Sequence, residues 1–205
     1  LAGTVPEEPR CTVERADASL TYSLFLQRYG GAGTVPGPRQ GFEGQFRCTG
    51  RANGERRGEL GGQSRDSRVP PDTLYFFGDN NFTEWGPLFQ HYVPPPFRIP
   101  GTSPAYSFGI AGSGSGVPFH WHGPGFSEVI FGRKRWFLYP PDRTPHFHPN
   151  ETTLAWLQHT YPTLPPAQRP LECTLHPGEV LYFPDRWWHA TLNLDTSVFI
   201  STFLG

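Results

Sequence analysis

Methionine is absent from this 205-residue chain, cysteine occurs three times, and neither sign of charge is in surplus. A chain that starts at Leu1 and carries no Met reads as a processed product or a fragment from which any signal peptide has been removed. With 17 basic and 18 acidic residues the net charge is -1, so no global electrostatic case exists for nucleic acid or for an anionic membrane surface. No uninterrupted apolar run approaches the roughly 20 residues of a spanning helix, and no membrane span is expected. The cysteines, Cys11, Cys48 and Cys173, lack C-x-x-C spacing, which argues against a zinc ribbon or a thioredoxin-type site. Neither a G-x-S-x-G nucleophile elbow nor a G-x-x-x-x-G-K-[ST] phosphate loop is present. The run GIAGSGSG over 109–116 matches no phosphate fingerprint because no helical pattern follows it, and it reads as a flexible connector.

What the chain does contain is punctuation and aromatic residues: 24 Gly, 24 Pro and 15% Phe, Trp and Tyr, which favour many short elements over a few long ones. Within residues 1–29, an arm, Tyr22, Phe25, Leu26 and Tyr29 recur at helical spacing, and Ser19 or Thr21 can cap a short helix. Residues 30–71 change character. Gly and Arg recur, and the few apolar residues follow neither period, so this segment reads as disordered. A basic RNA-contacting tract is the weaker reading, because Glu43, Glu55, Glu59 and Asp66 dilute the charge.

A folded domain is expected over 72–205. It begins with a short aromatic strand at TLYFFGD and a helix from Thr83 to Tyr92 that Gly86-Pro87 weakens. Strands are then expected at 106–110, 117–122, 127–131, 135–139, 179–183, 189–194 and 197–204, with one capped helix inserted between Asn150 and Tyr161. Short strands in this number give a mainly β fold, a sandwich or a jelly-roll barrel.

His120 and His122 occupy the aromatic run VPFHWH, where a strand would turn both imidazoles to one face. His189 ends a second aromatic run, and three imidazoles suit iron, copper, nickel or zinc. Alone, an H-x-H pair fits structural histidines better than ligands, and His146-Phe147-His148, flanked by prolines, has the same spacing in what reads as a solvated loop. Glu128, Glu179 and Asp185 read as solvated or paired carboxylates rather than acid/base groups. Trp136, Trp187 and Trp188 read as core. Two sequons, at Asn81 and Asn150, are compatible with glycosylation in the endoplasmic reticulum lumen or secretory pathway. One disulfide with a free thiol, or three inert thiols, both fit the cysteine count. For a lumenal chain the pairing expected is Cys11 with Cys173.

The order H-x-H, strand, GRKRWFLYPP, insert, GEVLYFPDRWWH resembles the jumonji-C (JmjC) domain over roughly 72–205. That resemblance implies the double-stranded β-helix, or cupin-like jelly roll, of iron- and 2-oxoglutarate-dependent oxygenases. Members usually bind Fe(II) with H-x-D or H-x-E and a distal histidine. On these motifs His120 matches the first histidine, His189 the distal one, and His122 stands where the carboxylate belongs. Lys134 matches the basic residue that pairs with the far carboxylate of 2-oxoglutarate, Tyr75 resembles a tyrosine that contacts the cosubstrate, and Val117 replaces a hydroxyl residue often found three positions before the first histidine. The expectation is a lumenal protein that keeps the barrel and a metal but acts mainly through protein partners, with little or no catalysis. Alternatives are a 2-oxoglutarate-dependent protein hydroxylase or demethylase, and a structural cupin holding zinc.

Overall fold

The computed structural model of the chain describes Val5, residues 11–17, Ser23, Gln27, and residues 47–49, 75–78 and 82–204. Its strands are β1 (Arg15–Asp17), β2 (Arg47–Thr49), β3 (Tyr75–Phe77), β4 (Ala105–Ala111), β5 (Gly116–His120), β6 (Gly125–Phe131), β7 (Lys134–Tyr139), β8 (Leu171–Leu175), β9 (Glu179–Phe183), β10 (Trp188–Asn193) and β11 (Ser197–Phe203). They form a seven-stranded sheet in the order β1-β2-β9-β6-β11-β4-β3 and a four-stranded sheet in the order β5-β10-β7-β8. All pairings are antiparallel except β1 with β2. This is the expected jelly roll.

Alternation sorts the side chains of β7. Arg135, Phe137 and Tyr139 turn outward, and Phe137 and Tyr139 pack with Phe119, Trp156, Leu157 and Leu192. Trp136 and Leu138 turn inward onto Val129, Leu181 and Phe183. Every residue of β7 is buried: the strand lies between β10 and β8, and Trp156 and Leu157 of helix α2 (Thr153–His159) join Phe137 and Tyr139 in the outer core. Thr152 caps α2 by accepting a hydrogen bond from the Ala155 N–H. A further α-helix, α1 (Phe82–Phe89), tolerates Pro87 in its interior. Tertiary contact offsets the lost donor: Trp85 stacks on Phe76 and Phe108, and Phe89 lies against Tyr106.

Several expectations shift. Strand β8, LECTL, went unnoticed because Glu172 and Thr174 dilute it, yet both are buried. Glu172 pairs with buried Arg135 at 2.6 Å and accepts from the Tyr161 hydroxyl, so its charge faces partners rather than water. The GIAGSGSG run is no flexible connector. Its ends belong to β4 and β5, and the turn between them is pinned where Gly114 N donates to Asn193 O and Asn193 N to Ser115 O, each at 2.8 Å. Inside the Gly/Arg-rich segment, Arg47–Thr49 join the larger sheet next to β9. The rest of that segment lies outside the described residues, as do Asn81 and most of the helix expected near Tyr22, of which Ser23 and Gln27 are helical. No helix among the described residues is long and apolar enough to cross a membrane.

The arm is fastened to the barrel. Cys11 and Cys173 form a disulfide, Thr12 N donates to Glu172 O at 3.0 Å, and Val13 is buried against the inner core. Because this bridge spans a sequence separation of 162 residues, it removes much unfolded-chain entropy. Guanidinium unfolding of Cys11→Ser against the parent is expected to lose about 2–5 kcal/mol; equal midpoints and slopes would mean that the arm adds nothing to the fold.

Candidate metal centre

The register between β10 and β5 builds the site. His189 lies opposite His120, and Thr191 lies opposite Val117, so two steps on β10 match three on β5. The extra residue is a β-bulge, and it turns Val117 and His120 to the same, inward side although they are three apart. His122 departs from the expected geometry. Strand β5 ends at His120, and His122 sits beyond it, in the segment leading to Gly123 and Pro124. It still reaches the site because its carbonyl accepts from Arg186 N at 2.9 Å, which joins its loop to the one before His189. Arg186 adopts φ 58°, a conformation rare outside glycine and asparagine.

The three ring nitrogens able to bind a metal lie within 4.8 Å of one another. Each imidazole is oriented by its own backbone: Nδ1 of His120 is 2.8 Å from Pro118 O, Nδ1 of His122 is 2.8 Å from Gly123 O, and Nδ1 of His189 is 2.9 Å from Trp187 O. A carbonyl only accepts, so each Nδ1 carries the hydrogen and each neutral ring presents a bare lone pair at Nε2. Burial holds His120 below the ordinary histidine range, and burial with the neighbouring His120 and His122 holds His189 well below it. The Nε2 atoms of His122 and His189 are 3.1 Å apart. Two lone pairs that close repel, and no hydrogen lies between them in these tautomers.

The His122–His189 spacing fits two ligands of one metal ion. With metal–nitrogen distances of about 2.1 Å, two ligands at one ion sit roughly 3.0–3.4 Å apart for angles between 90° and tetrahedral. Among the described residues no carboxylate joins the cluster.

The centre opens into a pocket of about 340 Å³, part of it continuous with solvent, lined also by Tyr75, Lys134, Thr191 and Phe199. Lys134 is buried, not a surface lysine. Its Nζ lies 3.3 Å from the centre of the Phe199 ring and donates to the Tyr75 hydroxyl at 3.4 Å. Phe199 in turn occupies the space over Gly109, where a Cβ would meet the ring at 2.3 Å. Burial lowers the Lys134 pKa well below the ordinary value, since no carboxylate among the described residues pairs with it. An incoming acid group would stabilise the charged form, so this end of the pocket fits a carboxylate.

Other expected positions lie elsewhere. Glu128 accepts from the Tyr92 hydroxyl, Glu179 accepts from His176 N, and Asp185 pairs with Arg186; none lines the pocket. His146 and His148 are exposed, do not belong to the cluster and do not line the pocket. Trp136 is core and also pocket wall. Asn150 is exposed just before the α2 cap. Thr191 escaped the sequence reading, although its place two residues beyond His189 on one strand was the available signal.

A family model described as a cupin-like domain matches residues 102–203. JmjC domain-containing protein 8 of Homo sapiens is 59% identical over 233 residues, which cover 99% of this chain and 87% of that protein. The chain belongs to the JmjC family. Its Rattus norvegicus counterpart is 60% identical over 98% of this chain and 85% of its own length. A more distant member, the lysine-specific demethylase JMJ21 of Arabidopsis thaliana, is 35% identical over 63% of this chain and 16% of its own length. In this JmjC chain the cluster that could hold a metal ion consists, among the described residues, of three histidines.

The buried imidazoles set a pH dependence. Unfolded His189 takes up a proton near its ordinary value of 6.5, whereas the folded site keeps it neutral to lower pH. Protons therefore favour the unfolded chain, and stability declines as pH falls below about 6.5. Urea unfolding of the metal-free chain between pH 8 and pH 5 is expected to follow that decline, with a shallower dependence in His189→Gln; equal dependence would contradict it.

Proposed function

We propose that this JmjC protein binds a divalent metal on His120, His122 and His189 and a 2-oxoglutarate-type dicarboxylate on Lys134, and acts mainly through protein partners with little or no turnover. The observation that carries this reading is the ligand set itself. Three neutral nitrogens leave a divalent ion with its full charge, whereas a carboxylate in the place of His122 would remove one unit. Bound iron would supply oxygen activation with 2-oxoglutarate as the electron source, and its ligand charge tunes that chemistry. The chain's own residues hold, orient and enclose the ligands: backbone carbonyls fix the rings, Lys134 and Tyr75 receive the far acid group, and Trp136 and Phe183 wall the cavity. The same nitrogens suit zinc.

The endoplasmic reticulum lumen or secretory pathway is the compartment this reading assigns. Its support is the Cys11–Cys173 disulfide, which persists in oxidising surroundings, and the exposed sequon residue Asn150. A second reading, a 2-oxoglutarate-dependent hydroxylase or demethylase, draws on the cation-lined pocket beside the cluster and on the distant demethylase relative.

Anaerobic titration with Fe(II) and 2-oxoglutarate, followed by oxygen and succinate detection, separates the two. The expected outcome is binding of both with no sustained succinate release. Sustained release that His189→Ala abolishes would establish the oxygenase reading instead, and a folded chain that binds neither ligand would defeat both.

A further inference from the structure

The acid-binding end of the pocket contains a hydroxyl that no charge requires. Thr191 is buried, lines the cavity, and sits in register with Val117 on the neighbouring strand. Its Oγ1 accepts a hydrogen bond from Val117 N at 3.3 Å. Its hydroxyl also lies close enough to the Tyr75 hydroxyl to stabilise the phenol oxygen, which Lys134 Nζ approaches at 3.4 Å. The backbone at this point is tightly held. A Cβ on Gly116, the residue opposite Leu192, would lie 1.9 Å from Thr191 O, so the two strands approach as closely as a glycine allows.

Hydrogen accounting gives this cluster a direction. With an acid group bound, Lys134 is an ammonium that can only donate, so Tyr75 Oη accepts from it. Thr191 already receives the Val117 N–H, and its single hydrogen is available for the second lone pair of Tyr75 Oη. A phenol oxygen that accepts twice must send its own hydrogen elsewhere, and Tyr75 lines the cavity. Burial raises the Tyr75 pKa far above its ordinary value, so that hydrogen stays in place at physiological pH.

We infer that Thr191 is a positioning residue for dicarboxylate recognition: held by Val117 N, it donates to Tyr75 and thereby turns the phenol hydrogen toward the far carboxylate of the bound acid. The inference rests on the proposed dicarboxylate site and adds to it the residue that orients its neutral donor. Val117 cannot offer a side-chain hydrogen bond here. Its cross-strand partner supplies the hydroxyl to the same wall, using the Val117 backbone as its anchor.

The test compares two keto acids on the iron-loaded, oxygen-free chain: 2-oxoglutarate, and 2-oxobutyrate, which lacks the far carboxylate. The parent is expected to prefer 2-oxoglutarate. Thr191→Val should weaken 2-oxoglutarate by about five- to tenfold, the effect of one lost hydrogen bond near a charged group, and leave 2-oxobutyrate and iron affinity unchanged. Thr191→Ser should retain the parent's preference. In a Tyr75→Phe background the Thr191→Val change should have no further effect, since the donor it orients is gone. If the valine variant does not fold, Thr191→Ala carries the same expectations. Equal weakening of both acids, or no weakening of either, overturns the positioning role while the dicarboxylate site stands. A parent chain that binds neither acid, or both equally, removes the dicarboxylate site and this role together.

Discussion

Strand β10 is hydrogen-bonded on both sides, to β5 and to β7, and its register decides what the pocket contains. His189 sits opposite His120 on one neighbour and Leu138 on the other; Thr191 sits opposite Val117 and Trp136. A slip of one residue would send His189 and Thr191 outward and bring Ala190 and Leu192, now packed beneath α2, into the cavity. The bulge on β5 adds the correction that lets His120 and Val117 share a face. Aromatic packing on the outer face and the Cys11–Cys173 core on the inner one hold that register from both sides. His120, His189 and Thr191 therefore take their places from the pairing of β10 with β5.

Charge then decides what such a pocket can hold. Three imidazoles bring no negative charge, and Lys134 adds a cation wherever an acid group allows it to keep its proton. In the proposed site a divalent ion would need counter-charge from its ligands, and a dicarboxylate would supply it through an acid group at each end. His122 thus shifts the load. In a centre with a protein carboxylate, part of the ion's charge is balanced before anything binds. In the proposed centre the balance would wait for the ligand, which is the ground on which a binding and partner-directed role is proposed.

The sequence carried the composition of the site better than its shape. His120, His122 and His189 were readable because imidazoles in aromatic, strand-like runs are conspicuous, and Lys134 because of the family motif around it. The route by which His122 arrives was not readable: it lies past the end of β5 and depends on the Arg186 contact from a distant loop. Thr191 was hidden because a buried threonine on a strand looks like any other. The 109–116 run misled for a similar reason, since what fixes it are hydrogen bonds to Asn193 and Leu194 some eighty residues away. Strand β8 was masked by Glu172, whose partner Arg135 sits on another strand. In each case the missing information was a long-range pairing, which local pattern does not encode.

The claim from which the rest follows is that a metal here is held by three histidines and by no protein carboxylate. X-ray absorption spectroscopy of the chain loaded anaerobically with one equivalent of Fe(II) tests it most directly. The account predicts scattering from three imidazoles in the parent and from two in His122→Ala. A parent spectrum without imidazole scattering, or one that His122→Ala leaves unchanged, would contradict it.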